Sequence, residues 1–344
     1  MIRSRLLLAL LTAALLGLTA CGGASDSTSG SGSDSDSAKG SKQLSLVAYS
    51  TPQVVYDEII PAFQKTGDGE GVGFKSSFGG SGEQSRAVEA GLPADIVAFS
   101  LAPDVDRLVK AGLVSSDWAK APHDGFVSTS VVTFAVRKGN PKHIRTWDDL
   151  LKPGVSVVTP NPFTSGGAKW NLLAAYGAAS KGGKNPEAGL GFLRQLITKH
   201  VKVQDKSARE ALQTFTSGPG DVLLAYENEA ITAQKKGQDI DYVTPDDTIR
   251  IENPIAVTKS AAPAAKQFVD FVLSKPGQEK FASWGYRPVN QAVFDEHKSK
   301  FPQPKSVFTI RDLGGWSTVN DEMFDPEKGS VAKIEEKAGV STAS

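Results

Sequence analysis

The chain has one cysteine in 344 residues, Cys21, so no disulfide can form within it. Its 38 basic and 38 acidic side chains cancel, and with no basic surplus nothing points to a nucleic-acid partner. The four histidines, His123, His143, His200 and His297, are scattered without metal-ligand spacing, so no metal site is expected. There is no Gly-x-Ser-x-Gly elbow, because Glu83 follows Gly79-Gly80-Ser81-Gly82 where the last glycine should stand, and no Gly-Lys-Ser/Thr completes a phosphate loop. Neither catalysis nor a cofactor is therefore expected. Beyond Leu18 no apolar run is long enough to span a bilayer.

The N-terminus carries its own pattern. Arg3 and Arg5 precede an apolar stretch from Leu6 to Leu18, and small residues then lead to Cys21, as in a secretory signal over residues 1–20. Leu18-Thr19-Ala20-Cys21 looks like a bacterial lipobox, in which Cys21 takes a lipid on its sulfur and becomes the mature N-terminus. Gly22 to Gly40 is almost wholly Gly, Ser, Asp and Ala, which bury too little apolar surface to offset their ordering entropy. Residues 21–42 are expected to form a disordered tether reaching roughly 25 Å. The folded body then works at the outer face of the cell membrane, on its extracytoplasmic, periplasmic side.

In the remaining chain, strand and helix patterns alternate, implying an α/β architecture with helices on both faces of a sheet in each of two lobes. Leu44 to Tyr49 reads as a strand running into a helix through Ser50-Thr51-Pro52, and Gly73 to Phe78 as a strand leading to Gly79-Gly80-Ser81-Gly82 and a helix over Glu83 to Ala90. Val155 to Val158 leads through Thr164-Ser165-Gly166-Gly167 into a further helix, and Val201 to Gln204 into one where Ser207 and Glu210 have capping-box spacing. Val222 to Ala225 is a buried strand that presents Tyr226 at its end. Ile249 to Val257 reads as a return strand. The expected division is 43–135 with 247–298 as one lobe, 136–246 as the other, 299–330 as an extension and 331–344 as a flexible tail.

The strand-to-helix junctions carry the functional signal. A helix start points unpaired N–H groups outward, glycine lets a ligand approach the backbone closely, and Ser165 adds a hydroxyl at the capping position, which together make an anion cradle. In open α/β sheets ligands sit beyond the carboxyl ends of the strands, where all four junctions lie. Glu227 and Glu229 resemble a pair of catalytic carboxylates, but beside an anion cradle they are expected to cap backbone or pair with basic neighbours such as Arg209.

Gly79-Gly80-Ser81-Gly82, Arg137-Lys138-Gly139-Asn140-Pro141, Val155 to Trp170, Gly220-Asp221-Val222-Leu223 with Glu227-Asn228-Glu229-Ala230, and Tyr286-Arg287-Pro288 together resemble the bacterial periplasmic sulfate-binding proteins, over nearly all of residues 43 to 325. The resemblance implies a monomer with the two-lobed type II periplasmic-binding-protein fold, joined by crossing strands, which closes on one sulfate and delivers it to the permease of an ABC importer. In that family the dianion is held by backbone N–H groups, a serine hydroxyl and an indole N–H, without Lys or Arg. Matched position by position, the backbone donors fall at Ser50, Ser81, Gly166, Gly167 and Ala208, and the hydroxyl at Ser165. Ser50 stands where better-known members carry an acidic residue, but the backbone is used there. Tyr226 stands at the indole position, which leaves the ligand open between sulfate and thiosulfate and, less so, phosphate or molybdate. A carboxylate or ferric binder on the same fold, and a surface-interaction protein without anion binding, are the other readings.

Helix starts after Ser50, Ser81, Ser165 and Ser207 each contribute roughly +0.5 charge, close in sum to a dianion. Charge-assisted hydrogen bonds of about 1.5–3 kcal/mol each support micromolar or tighter binding once association costs are met. With donors only around the ligand, binding is expected to be flat from about pH 5 to 8.

Overall fold

The computed structural model describes residues 42–343. The expected signal segment, Cys21 and the tether up to residue 41 lie outside the described residues. Among the described residues no helix is long and apolar enough to cross a membrane, and no group of three His, Cys, Asp or Glu side chains is placed to hold a metal ion.

In chain order, β1 (Lys42–Tyr49), α1 (Gln53–Gln64), β2 (Val72–Gly79), α2 (Ser81–Glu89), β3 (Ile96–Ala98) and α3 (Ala102–Lys110) build the first lobe. β4 (Phe126–Arg137) crosses to the second, which contains β5 (Val157–Pro160), α4 (Gly166–Ala179), α5 (Pro186–Gln195), β6 (Val201–Asp205), α6 (Ala208–Thr216), β7 (Val222–Tyr226), α7 (Glu227–Lys235) and β8 (Ile240–Val243). β9 (Asp247–Val257) returns, followed by α8 (Pro263–Leu273), α9 (Lys275–Ser283), β10 (Arg287–Pro288), α10 (Gln291–His297), β11 (Ser306–Phe308), α11 (Gly315–Val319) and α12 (Ser330–Lys337).

The main strand order is β2-β1-β3-β9-β4-β7-β5-β6. β1 pairs parallel with β2 and β3, and β5 parallel with β6 and β7, joined by helical crossovers as parallel strands require. The two long antiparallel strands connect these halves. β4 pairs with β9 through Phe126 to Val131 and with β7 from Val132 to Val136, while β9 pairs with β3 through Ile255 to Val257. On this pairing we propose that the lobes meet at Val131/Val132 rather than at the 135/136 division suggested by the chain pattern.

Side-chain alternation explains why both sheet faces are covered. Leu44, Leu46 and Ala48 of β1 enter one core with Tyr56, Ile59, Phe63 and Phe268, whereas Val47 enters the opposite one with Phe99, Val105 and Leu108. β7 repeats this: Val222, Leu224 and Tyr226 face the α4 side with Trp170 and Leu173, and Leu223 and Ala225 face α6 with Phe215. The Tyr226 side chain is thus set, by strand period alone, on the face where α4 begins.

The tail expectation needs correction. Residues 330–337 form α12, with Val331 and Ala332 fully buried and Ile334 at 5 % exposure, and Asn161 Nδ2 donates to the Ser341 carbonyl at 2.9 Å. The Val331 and Ile334 spacing makes an apolar stripe whose burial outweighs the ordering entropy of so short a helix.

Candidate functional site

The four junctions converge. Ser50, Ser81, Ser165, Gly167, Ala208 and Tyr226 all line one small cavity between the lobes. Gly166 is the first residue of α4, with Ser165 as its N-cap. Ser81 is likewise the first residue of α2 and Ala208 of α6, so these amides and that of Gly167 have no carbonyl four residues back to receive them. Ser50 differs from expectation: α1 begins at Gln53, so its N–H is a loop amide just past β1 and not a helix-start amide. Three helices therefore aim their starts at the cavity, from α2 on one lobe and α4 and α6 on the other.

The side chains sort into those used for capping and those left for the cavity. Ser207 accepts from the Glu210 N–H at 3.2 Å, so its oxygen serves α6 itself. Ser165 makes no such capping bond, which leaves its Oγ for the cavity. Ser81 Oγ donates to the buried Asp104 carboxylate at 2.5 Å and accepts from the Ser100 N–H at 2.9 Å, so Ser81 faces the cavity with backbone only. Burial holds the Asp104 carboxyl above its usual range, opposed by the Ser81 hydroxyl.

Close backbone approach across the lobes depends on two glycines. A Cβ on Gly166 would lie 2.8 Å from Leu101 Cγ and 2.9 Å from Ser100 Oγ, and one on Gly80 would lie 2.8 Å from the Thr164 carbonyl oxygen. Arg209, expected to pair with an acidic neighbour, instead bridges the lobes: its guanidinium donates to Gln53 Oε1 at 2.6 Å and to the Ser50 carbonyl. Glu227 pairs with Arg287 at 2.7 Å, 0 % exposed, and Glu229 accepts from the Tyr226 N–H at 2.9 Å. The two carboxylates are structural, as their position beside an anion cradle suggested.

Residues 44–287 match the family described as bacterial extracellular solute-binding protein. The chain belongs to that family. It is 41 % identical to a sulfate-binding protein of Synechococcus elongatus over 92 % of this chain and 91 % of the relative, and 36 % identical to a thiosulfate-binding protein of Pseudomonas aeruginosa over 83 % and 90 %. Among solved structures, the sulfate-binding protein SubI from Mycobacterium tuberculosis superposes with a TM-score of 0.81 at 48 % identity, covering 83 % of this chain and all of that one. The type II two-lobed fold read from the sequence is the fold of these solute-binding proteins.

Five cavity residues of this solute-binding protein, Tyr49, Thr51, Gly79, Gly80 and Ser100, lie outside the expected set, and Gly166 of that set is not among the lining residues. Tyr49, at the end of β1, is 5 % exposed and its hydroxyl has no hydrogen-bond partner among the described residues. Ser100, just past β3, lines the cavity with its Oγ 2.6 Å from the Tyr226 hydroxyl. The Tyr49 alternation was visible in β1, but a serine between Phe99 and Leu101 carries no local signal.

The flat pH profile is also revised. Burial pushes the Glu229 carboxyl up to about 7, against the opposing pull of the Tyr226 amide and Arg209. An anion bound in the cavity disfavours the ionised carboxylate behind Tyr226, so binding takes up a proton near neutrality. Anion affinity is expected to rise by about threefold to tenfold as pH falls from about 8.5 to 6, with Glu229→Gln flattening the profile because its amide oxygen still receives the Tyr226 N–H. Calorimetric titrations across that range test this, and a flat profile in the parent protein would contradict it.

Proposed function

We propose that the cavity between the lobes binds sulfate and that the protein hands it to the permease of an ABC importer. The observation that carries this is the convergence of Ser50, Ser81, Ser165, Gly167, Ala208 and Tyr226, from separate parts of the chain, on one small cavity. Its supply is almost entirely of donors. Backbone N–H groups at three helix starts supply partial positive charge, and Ser165 supplies a hydroxyl. Gly166 and Gly167 are the first two residues of α4, so their consecutive amides have no helix carbonyl to receive them. Sulfate is fully deprotonated near neutral pH and only accepts, so every contact is satisfied. Phosphate keeps at least one proton there, and turning it toward a donor costs about 1–3 kcal/mol.

The identities of 48 % and 41 % to proteins described as sulfate-binding support sulfate over thiosulfate, for which the relative quoted above is 36 % identical. Thiosulfate remains the second reading, on the Tyr226 substitution. Titration of the purified protein with sulfate, thiosulfate, phosphate and molybdate tests the assignment. Sulfate is expected to bind at least about tenfold more tightly than phosphate. Equal affinities for the two would overturn it.

We further propose that the protein is a monomer without catalytic activity and that Cys21 carries a lipid tethering it outside the cell membrane. Metabolic labelling with a fatty-acid analogue should mark the parent protein and not Cys21→Ala. Labelling of both would remove the anchor.

A further inference from the structure

We propose that Glu335 and Ser341 are positioning residues for the anion, holding the two second-lobe loops from which α4 and α6 present their donors. The inference rests on the oxyanion reading above. The loop before α4 is built on Asn161, whose carbonyl receives the Ser165 N–H at 2.9 Å and whose side-chain oxygen receives the Phe163 N–H at 2.7 Å. The loop before α6 is tied to it: the Asp205 carbonyl receives the Asn161 N–H at 2.8 Å, and the Lys206 carbonyl receives the Thr164 hydroxyl at 2.8 Å. These bonds set the two loops relative to each other.

The C-terminal segment then fastens each of them. Gln204, near the end of β6, donates its side-chain N–H to the Glu335 carboxyl at 2.7 Å, and Asn161 Nδ2 donates to the Ser341 carbonyl at 2.9 Å. Local sequence lets one segment reach both. Gly339 takes φ +78°, a left-handed conformation suited to glycine, and the Val340 N–H returns to the Glu335 carbonyl at 3.0 Å, so the chain turns off α12 and brings Ser341 to Asn161. Val331 and Ile334 anchor the helix in the core on the α4 side. Glu335 is 0 % exposed, and burial raises its carboxyl to about 7 against the opposing bond from Gln204. An apolar side chain would be buried there at less cost, so what the carboxyl supplies is a fixed Gln204 and, through β6, a fixed approach to α6. Ser165 Oγ and the amides of Gly166, Gly167 and Ala208 must meet one ligand together, and hydrogen bonds weaken steeply as they bend, so slack in either loop is felt as lost affinity.

The test is calorimetry with sulfate, together with ¹H–¹⁵N spectra, on the purified parent, Glu335→Gln, Glu335→Leu and a chain ended after Val340. Glu335→Gln keeps an acceptor for Gln204 and Glu335→Leu removes it. The shortened chain removes the acceptor for Asn161 and leaves α12 whole, since Ser341 is exposed and lies beyond the helix. Sulfate affinity is expected to fall about threefold to tenfold in Glu335→Leu and in the shortened chain, the usual worth of one hydrogen bond, and to stay at the parent's value in Glu335→Gln. In sulfate-free spectra the amides of Ser165, Gly166 and Gly167 should shift in the shortened chain and that of Ala208 in Glu335→Leu, with Ser81 of the first lobe unmoved in both. Should Glu335→Leu fail to fold, the shortened chain decides the matter alone. Parent-like affinity in the shortened chain or in a folded Glu335→Leu, or equal losses in Glu335→Gln and Glu335→Leu, would overturn the proposal while leaving sulfate binding by the parent intact. A parent that does not bind sulfate would overturn the functional reading and this inference together.

Discussion

Gly80→Ala is expected to lower sulfate affinity by about ten- to a hundredfold while leaving the ligand-free protein as stable as the parent, on the usual overpacking cost of about 1–3 kcal/mol. The backbone at Gly80 has φ −61° and ψ 134°, which alanine adopts without strain, so the fold of the first lobe is unaffected. The added methyl meets the second lobe instead, 2.8 Å from the Thr164 carbonyl oxygen and 3.5 Å from that of Lys206. Both are backbone atoms at the starts of α4 and α6 and cannot rotate away. The methyl therefore acts only when the lobes approach, which is when the amides of both reach one ligand. Gly82→Ala is the matched control: its methyl would meet the movable Arg86 guanidinium at 3.2 Å and the Thr164 oxygen only at 3.6 Å, so a smaller loss is expected. Equal affinities for Gly80→Ala and the parent would mean that lobe approach does not limit binding.

Loss of the Arg209 bridge should act on release. Its bonds to Gln53 Oε1 and the Ser50 carbonyl join α6 to the end of β1, so they exist only with the lobes together. Arg209→Ala removes two charge-assisted bonds, and an affinity loss of about 2–4 kcal/mol is expected, roughly thirty- to a thousandfold. Most of it should appear in the dissociation rate, because the bridge forms after the anion has entered. Arg209→Lys should recover little, since an ammonium cannot match a planar fork aimed at two separate oxygens. Stopped-flow measurement of sulfate release tests this; an unchanged dissociation rate in Arg209→Ala would show the bridge to be incidental.

Local pattern made much of this site legible. The cap residues Ser165 and Ser207, the glycines around Ser81 and the β-branched strands before them all sit within a few residues of the backbone they organise, so the helix starts could be read directly. The α/β class followed from the same alternation. What was hidden depends on partners distant in sequence. Ser100 meets Tyr226 across 126 positions, and Arg209 meets Ser50 across 159. Nothing local distinguishes either from an ordinary loop serine or helix arginine. Glu229 was expected either to cap backbone or to pair with a basic neighbour, and it does the first, but its raised pKa comes from burial that only the packed lobes create. The α12 helix was missed although Val331 and Ile334 give a readable stripe.

The central claim is that backbone amides hold the anion, and amide NMR measures that most directly. In ¹H–¹⁵N spectra of the protein titrated with sulfate, the resonances of Ser50, Ser81, Gly166, Gly167 and Ala208 should move downfield by more than any others, since a charged acceptor deshields the proton it receives. Perturbation confined to other residues, with these five amides unmoved at saturating sulfate, would contradict it.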